Sequence, residues 1–199
     1  MTNERNRRRA SRYVQSAAAA AAIGFAASPA AALTCSQLAS DFHRPNTTIT
    51  AAAIVPAGTF VTPTVPPQTL TGLPQFCRVA GFTTPTSDSH ISFEVWVPDS
   101  GWNLKYLQVG CGGFCGSITY TNMAEPLRRG YAVAGTDNGH QAGGTDGSWA
   151  VGHPQKAIDY GYRALKETTD VAKDIIMAFE SSCDRRGAAR RRAPGALRA

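Results

Sequence analysis

Two stretches hold residue types whose spacing could do chemistry. The first is VGCGGFCGS, residues 109–117, where Gly110, Gly112, Gly113 and Gly116 follow the apolar run YLQ. Glycine lets a chain turn so that successive N–H groups point into open space. Amides arranged in that way hold an anion, either a phosphate or the oxyanion formed when an ester is cleaved. No GxGxxG in register and no GK[ST] accompanies them, which argues against a nucleotide phosphate. The second stretch is GTDNGHQAGG, residues 135–144, followed by DGSWAVGHP, residues 146–154. Asp137 and His140 sit there three residues apart, with Asp146, Ser148 and His153 close behind. Residues that close on one turn do not present a base and its orienting acid to a third group. Asp137 and His140 therefore read as loop braces, hydrogen-bonded to backbone. Neither Ser117 nor Ser148 stands in a GxSxG or comparable elbow, so no nucleophile and no catalytic residue is assigned.

The cysteines are Cys35, Cys77, Cys111, Cys115 and Cys183. There is no CxxC and no His at ligand spacing from a Cys, so no metal site is assigned. Cys35 and Cys77 bracket a Thr/Pro-rich segment and are expected to pair. Cys111 and Cys115 could pair with each other or with other partners, and Cys183 is left over.

The elements that must position these stretches follow from apolar periodicity. Leu33 to Phe42 reads as a short helical start. PNTTITAAAIVPAGTFVTP reads as two short edge strands broken by Pro56 and Pro63. TVPPQTLTGLPQFC reads as a proline-punctuated loop, and CRVAGFTTP as a strand. HISFEVWVPD alternates, with Ile91, Phe93, Val95 and Val97 on one face, and is the clearest antiparallel strand. WNLKYLQVG runs as a strand into the glycines. EPLRRG is a short helix before the buried strand YAVAGTD, where Asp137 ends the strand, a position at which functional groups collect in such sheets. Pro154 to Glu180 reads as one long amphipathic helix. Its stripe is Ala157, Tyr160, Ala164, Thr168, Val171, Ile175, Ala178 and Phe179, with Pro154 at the first turn. This order predicts an α/β fold, the front part of a sheet with antiparallel strands first, a parallel centre, then a long helix.

The formal charge of +6 sits in the two ends. Residues 1–32 carry five Arg and one Glu, and residues 184–199 carry six Arg and one Asp. Residues 33–183 have nine basic and twelve acidic side chains, with no basic helix face and no basic–aromatic interleaving. That balance argues against nucleic acid as a partner of the body. Residues 1–32 read as a signal peptide: a basic start, an Ala-rich core too short to span a bilayer, and an A-x-A site ending at Ala32. A secreted or periplasmic protein without a membrane partner is expected, by ordinary or twin-arginine export.

Taken together, the segments CRVAGFTTPTSDSHISFEVWVPDSGWNLKYLQVGCGGFCGSI, LRRGYAVAGTDNGHQ and GSWAVGHPQKAIDYGYRALKETTDVAKDII resemble the tannase and feruloyl esterase family over about residues 33–180. The resemblance implies a secreted α/β-hydrolase that cleaves gallate- or ferulate-like aromatic esters. It implies a Ser, Asp and His set and an inserted lid that often holds calcium. It also implies that Gly112 and Gly113 carry the oxyanion loop. In the family a Gly-Cys-Ser-x-Gly-Gly elbow follows the long helix at once. Here residues 184–199 are an Arg/Ala/Gly/Pro run instead, the composition of a GC-rich gene read in the wrong frame. The expectation is a partial hydrolase domain over 33–183, inactive by itself, with a frameshifted or disordered basic tail and no cofactor in this chain. The competing expectation is a non-catalytic secreted binding domain that uses the tail for attachment.

Overall fold

The computed structural model describes residues 33–191, with side chains through residue 180. The leader assigned to residues 1–32 lies outside the described residues, as do residues 192–199 of the basic tail. Among the described residues seven strands form: β1 (Thr47–Val55), β2 (Gly58–Val61), β3 (Thr69–Leu73), β4 (Phe76–Thr83), β5 (Ile91–Pro98), β6 (Tyr106–Gln108) and β7 (Ala132–Thr136). The helices are α1 (Leu38–Asp41), α2 (Tyr120–Arg128), α3 (Pro154–Ile158) and α4 (Ala164–Arg191). Five strands make one mixed sheet in the order β1-β4-β5-β7-β6.

The first three pairings of that sheet are antiparallel, and only β6 and β7 run parallel, joined through α2. The expected parallel centre is thus a single parallel pair at one margin. The long antiparallel strands β4 and β5 occupy the middle because they register along their whole length, Phe76 opposite Pro98 through Thr83 opposite Ile91. The segment read as a proline-punctuated loop is in part a strand: β3 pairs with β2 in a separate two-stranded sheet, Phe60 opposite Leu70. Its prolines lie outside the paired residues, where they block no ladder hydrogen bond.

Helices cover both faces of the sheet, so β5 and β7 are buried on both sides. On one face Val79, Phe93, Val95 and Ala134 meet Val171, Ile175 and Phe179 of α4, and Cys35 and Leu38 join them. On the other, Phe76, Trp96 and Val133 meet Tyr120, Met123 and Leu127 of α2 and Leu70 and Leu73 of β3. Cys35 and Cys77 form the expected disulfide inside the first of these cores. Across the second face, buried Glu94 accepts hydrogen bonds from Arg78, Trp96 Nε1 and Tyr120 Oη. One carboxylate thereby ties β4 and β5 to the start of α2.

The long helix is not one regular helix. A π turn, Asp159–Arg163, separates α3 from α4. Ala157, expected on the apolar stripe, is exposed, and Asp159 is fully buried instead. The buried positions step from 159 to 164 and then to 168, so the wider turn re-phases the helix by one residue. The backbone stays helical to Arg191, eleven residues past the expected end at Glu180. Arg and Ala are among the strongest helix formers, which gives this run a local reason to continue.

Candidate active site

The glycine loop begins where β6 ends. Val109 N–H still donates to Ala134 O at 2.8 Å, and the chain then leaves the sheet. Cys111 and Cys115 pair with each other and enclose Gly112, Gly113 and Phe114. Gly113 and Cys115 have φ of 58° and 65°, and Gly116 has 90°. The left-handed region is cheap for glycine and disfavoured for Cys115, which the disulfide and its N–H bond to Gly112 O (3.1 Å) hold in place.

The loop lies backbone against backbone on residues 142–144. A Cβ at Gly113 would sit 2.1 Å from Gly144 O, and one at Gly116 2.2 Å from Ala142 O. Only glycine fits these two approaches. Phe114 N–H donates to Gly144 O at 2.7 Å, and Tyr160 Oη donates to Gly113 O at 3.1 Å. The Phe114 ring meets Trp149 and Tyr160 edge-on, with centroids 6.4 and 6.0 Å away. The loop is thus held by three segments that are distant in sequence. The amides of Gly112 and Gly113 donate to no acceptor among the described residues, and a Cβ on Gly112 would meet nothing within 4 Å.

Asp137 and His140 behave differently from each other. Asp137 Oδ1 accepts from Ser92 N–H (3.0 Å) and Gly139 N–H (2.9 Å), a brace between β5 and the turn after β7. Burial raises its carboxyl above the usual range, and these hydrogen bonds offset part of that rise. Its Oδ2 has no hydrogen-bond partner. His140, expected as a second hydrogen-bonded brace, is corrected to a packing residue. Its ring stacks on Trp149 at 3.8 Å, and neither ring nitrogen has a hydrogen-bond partner. The indole face takes up the imidazole. Behind this turn, a Cβ on Gly139 would lie 2.7 Å from Cβ of Asp159. Asp159 ion-pairs with Arg163 at 3.0 Å, and burial raises its carboxyl.

A groove of about 680 Å³ opens beside the loop. Its floor is β4 and β5, with Arg78 and Glu94. One wall is the Pro63–Gln68 segment and the other runs from Gly116 to Thr121. Ser117 and Asp137 line it, whereas Gly112 and Gly113 do not. His153 lies apart, its Nδ1 2.7 Å from Asp88 Oδ1. No serine is hydrogen-bonded to a histidine among the described residues. Nor do three or more His, Cys, Asp or Glu side chains gather to hold a metal ion among the described residues.

The aromatic grip on Phe114 and the buried Asp159 escaped sequence reasoning. Gly161, in the middle of an otherwise regular helical pattern, was the available sign of a break there.

A glycine loop after the shortest parallel strand, a buried strand ending in a braced Asp, and helices on both faces place the molecule among mixed-sheet α/β proteins. Comparison with known proteins then narrows the class. Residues 77–186 match the family described as tannase and feruloyl esterase, and the chain belongs to that family. It is 51% identical over 135 residues to an esterase of Xanthomonas campestris pv. campestris, covering 68% of this chain and 23% of that one. It is 32% identical over 150 residues to feruloyl esterase C of Talaromyces stipitatus, covering 73% of this chain and 28% of the relative. The crystal structure of feruloyl esterase B from Aspergillus oryzae superposes with a TM-score of 0.66 at 30% identity, over 73% of this chain and 28% of that one. The chain therefore spans about a quarter of the length of these relatives. The family is one of ester hydrolases, and the α/β-hydrolase front part expected from the sequence is the fold found. Among the described residues no helix is long and apolar enough to cross a membrane.

Proposed function

We propose that this chain carries the oxyanion-binding front part of an exported carboxylic ester hydrolase that acts on gallate- or ferulate-like aromatic esters. The single observation that carries the reading is the pair of unengaged amides at Gly112 and Gly113, on a loop held rigidly from three sides. Attack by a serine hydroxyl on an ester carbonyl pushes negative charge onto the carbonyl oxygen. Preorganised N–H donors stabilise that charge at little reorganisation cost, and loss of one such donor slows turnover on the order of 10²- to 10³-fold. The family match and the named esterase relatives support the substrate class. Two disulfides support an oxidising compartment, hence export.

The reading includes that this chain is inactive by itself, which the lack of any serine paired to a histidine among the described residues supports. The proposed cause is a change of reading frame between Glu180 and Cys183. The experiment is translation of the gene downstream of codon 180 in all three frames, followed by assay of both chains on methyl gallate and methyl ferulate. A frame encoding a strand and then Gly-Cys-Ser-x-Gly-Gly is expected, with activity only in the chain that continues in it. Hydrolysis by the 199-residue chain would refute the inactivity. A frame-restored chain silent on both esters would refute the substrate class.

A further inference from the structure

We infer that the Cys111–Cys115 disulfide is a reducible clasp that switches the glycine loop between a held and a released form. Three residues lie between its cysteines, and all of them are loop. Cys115 is buried, at 8% exposure, but Cys111 is partly exposed and Gly112, Gly113 and Phe114 are exposed, so a reductant can reach the bond from the Cys111 side. The other disulfide is a contrast within the same chain: Cys35 is 4% exposed and Cys77 0%, both packed in the core under α4. Accessible disulfides exchange readily and buried ones resist.

The loop also has reason to move once the bond opens. Cys115 is held at a φ that a side chain disfavours. Within the clasp the remaining restraints are the Cys115 N–H bond to Gly112 O, the Phe114 bond to Gly144 O, the Tyr160 bond to Gly113 O and two edge-on ring contacts. These restraints converge on the three residues inside the clasp, so opening it loosens all of them together.

The chemistry is a thiol–disulfide exchange with a dithiol. One thiolate of the reductant attacks a sulfur of the pair and forms a mixed disulfide. Its second thiol then displaces the protein sulfur. Two electrons and two protons pass to the protein, leaving free thiols at Cys111 and Cys115 and a disulfide on the reductant. In the released form the amides of Gly112 and Gly113 lose their fixed direction. That consequence rests on the esterase reading, whereas the test does not.

The test uses the full chain with Cys183→Ser, leaving four cysteines, titrated with dithiothreitol and alkylated with iodoacetamide. Peptide mass mapping reads which cysteines are labelled. Brief native cleavage by chymotrypsin after Phe114 reads the loop. Cys111 and Cys115 should be labelled at reductant concentrations that leave Cys35 and Cys77 unlabelled. Cleavage after Phe114 should rise about tenfold and fall again on reoxidation, because a released segment is cut through its open form. The additional double variant Cys111→Ser/Cys115→Ser should be cut at the faster rate without reductant. Labelling of all four cysteines over the same concentration range would overturn the inference, as would unchanged cleavage after Phe114 on selective reduction. Turnover is not read in either arm, so failure of the clasp and failure of the esterase reading are separate results.

Discussion

Gly113→Ala against Gly112→Ala tests whether the loop is held by backbone contact or merely rich in glycine. At Gly113 the added methyl meets Gly144 O at 2.1 Å, and φ is 58°. The left-handed backbone costs a non-glycine residue roughly 1–2 kcal/mol. Backbone, not a flexible side-chain tip, is what the methyl meets, so the two loops must part. The Phe114 N–H bond to Gly144 O, 2.7 Å long, is then weakened or lost, for about another 1 kcal/mol. A loss of roughly 2–3 kcal/mol is expected for Gly113→Ala. At Gly112 the methyl meets nothing within 4 Å, and a change within about 0.5 kcal/mol is expected. Urea unfolding followed by tryptophan fluorescence measures both. With an m-value of about 2 kcal/mol/M, the Gly113→Ala midpoint should fall by roughly 1 M while that of Gly112→Ala stays put. Equal midpoints for the two variants would refute the backbone-contact argument, whichever direction both moved.

Two further expectations rest on buried carboxylates. Burial raises the Asp137 carboxyl, so the folded state holds a proton that the unfolded state releases, and stability falls as pH rises from the ordinary carboxylate range through the raised value. Asp137→Asn keeps an oxygen for Ser92 and Gly139 and replaces the unpartnered Oδ2, so it should gain stability on the wild type at pH 7 and lose that advantage near pH 3; a constant difference across that range would count against the assignment. Glu94→Gln keeps the shape but turns an amide NH₂ toward the donors from Arg78, Trp96 and Tyr120. It should cost about 3 kcal/mol, a value tempered by the partial exposure of Arg78, and an unfolding midpoint within error of wild type would show the network to be dispensable.

Local signals were legible where one residue's requirements decide the outcome. β5 was legible because alternation marks a strand whatever lies around it. So were the ends of β1 and β2 before Pro56 and Pro63, and the helix start at Pro154. The Cys35–Cys77 pairing was legible from what the two cysteines bracket. β3 was missed because TLTGL between prolines carries too few residues for a period to show. Both-face burial of β5 was missed because Glu94 and Trp96 are polar-capable residues. Their burial depends on Arg78 and Tyr120, which arrive from other elements. At the site, the glycine run pointed to an anion-binding loop. Nothing in it told that Gly113 and Gly116 serve contact with residues 142–144, while Gly112 faces open space.

The sequence by itself determined the class of the chain: an α/β front part, its strand-to-glycine turn, its family, and a mildly acidic body between basic ends. Each of these depends on residue type and near spacing, which a linear pattern carries. Only the tertiary structure decided that His140 stacks instead of bracing, that Asp159 replaces Ala157 on the buried stripe through a π turn, and that Cys111 takes Cys115 as its partner. Those outcomes turn on which distant segment a side chain meets first. Phe114, Trp149 and Tyr160 share no local pattern, and they come together only because β6, β7 and α3 deliver their loops to the same end of the sheet.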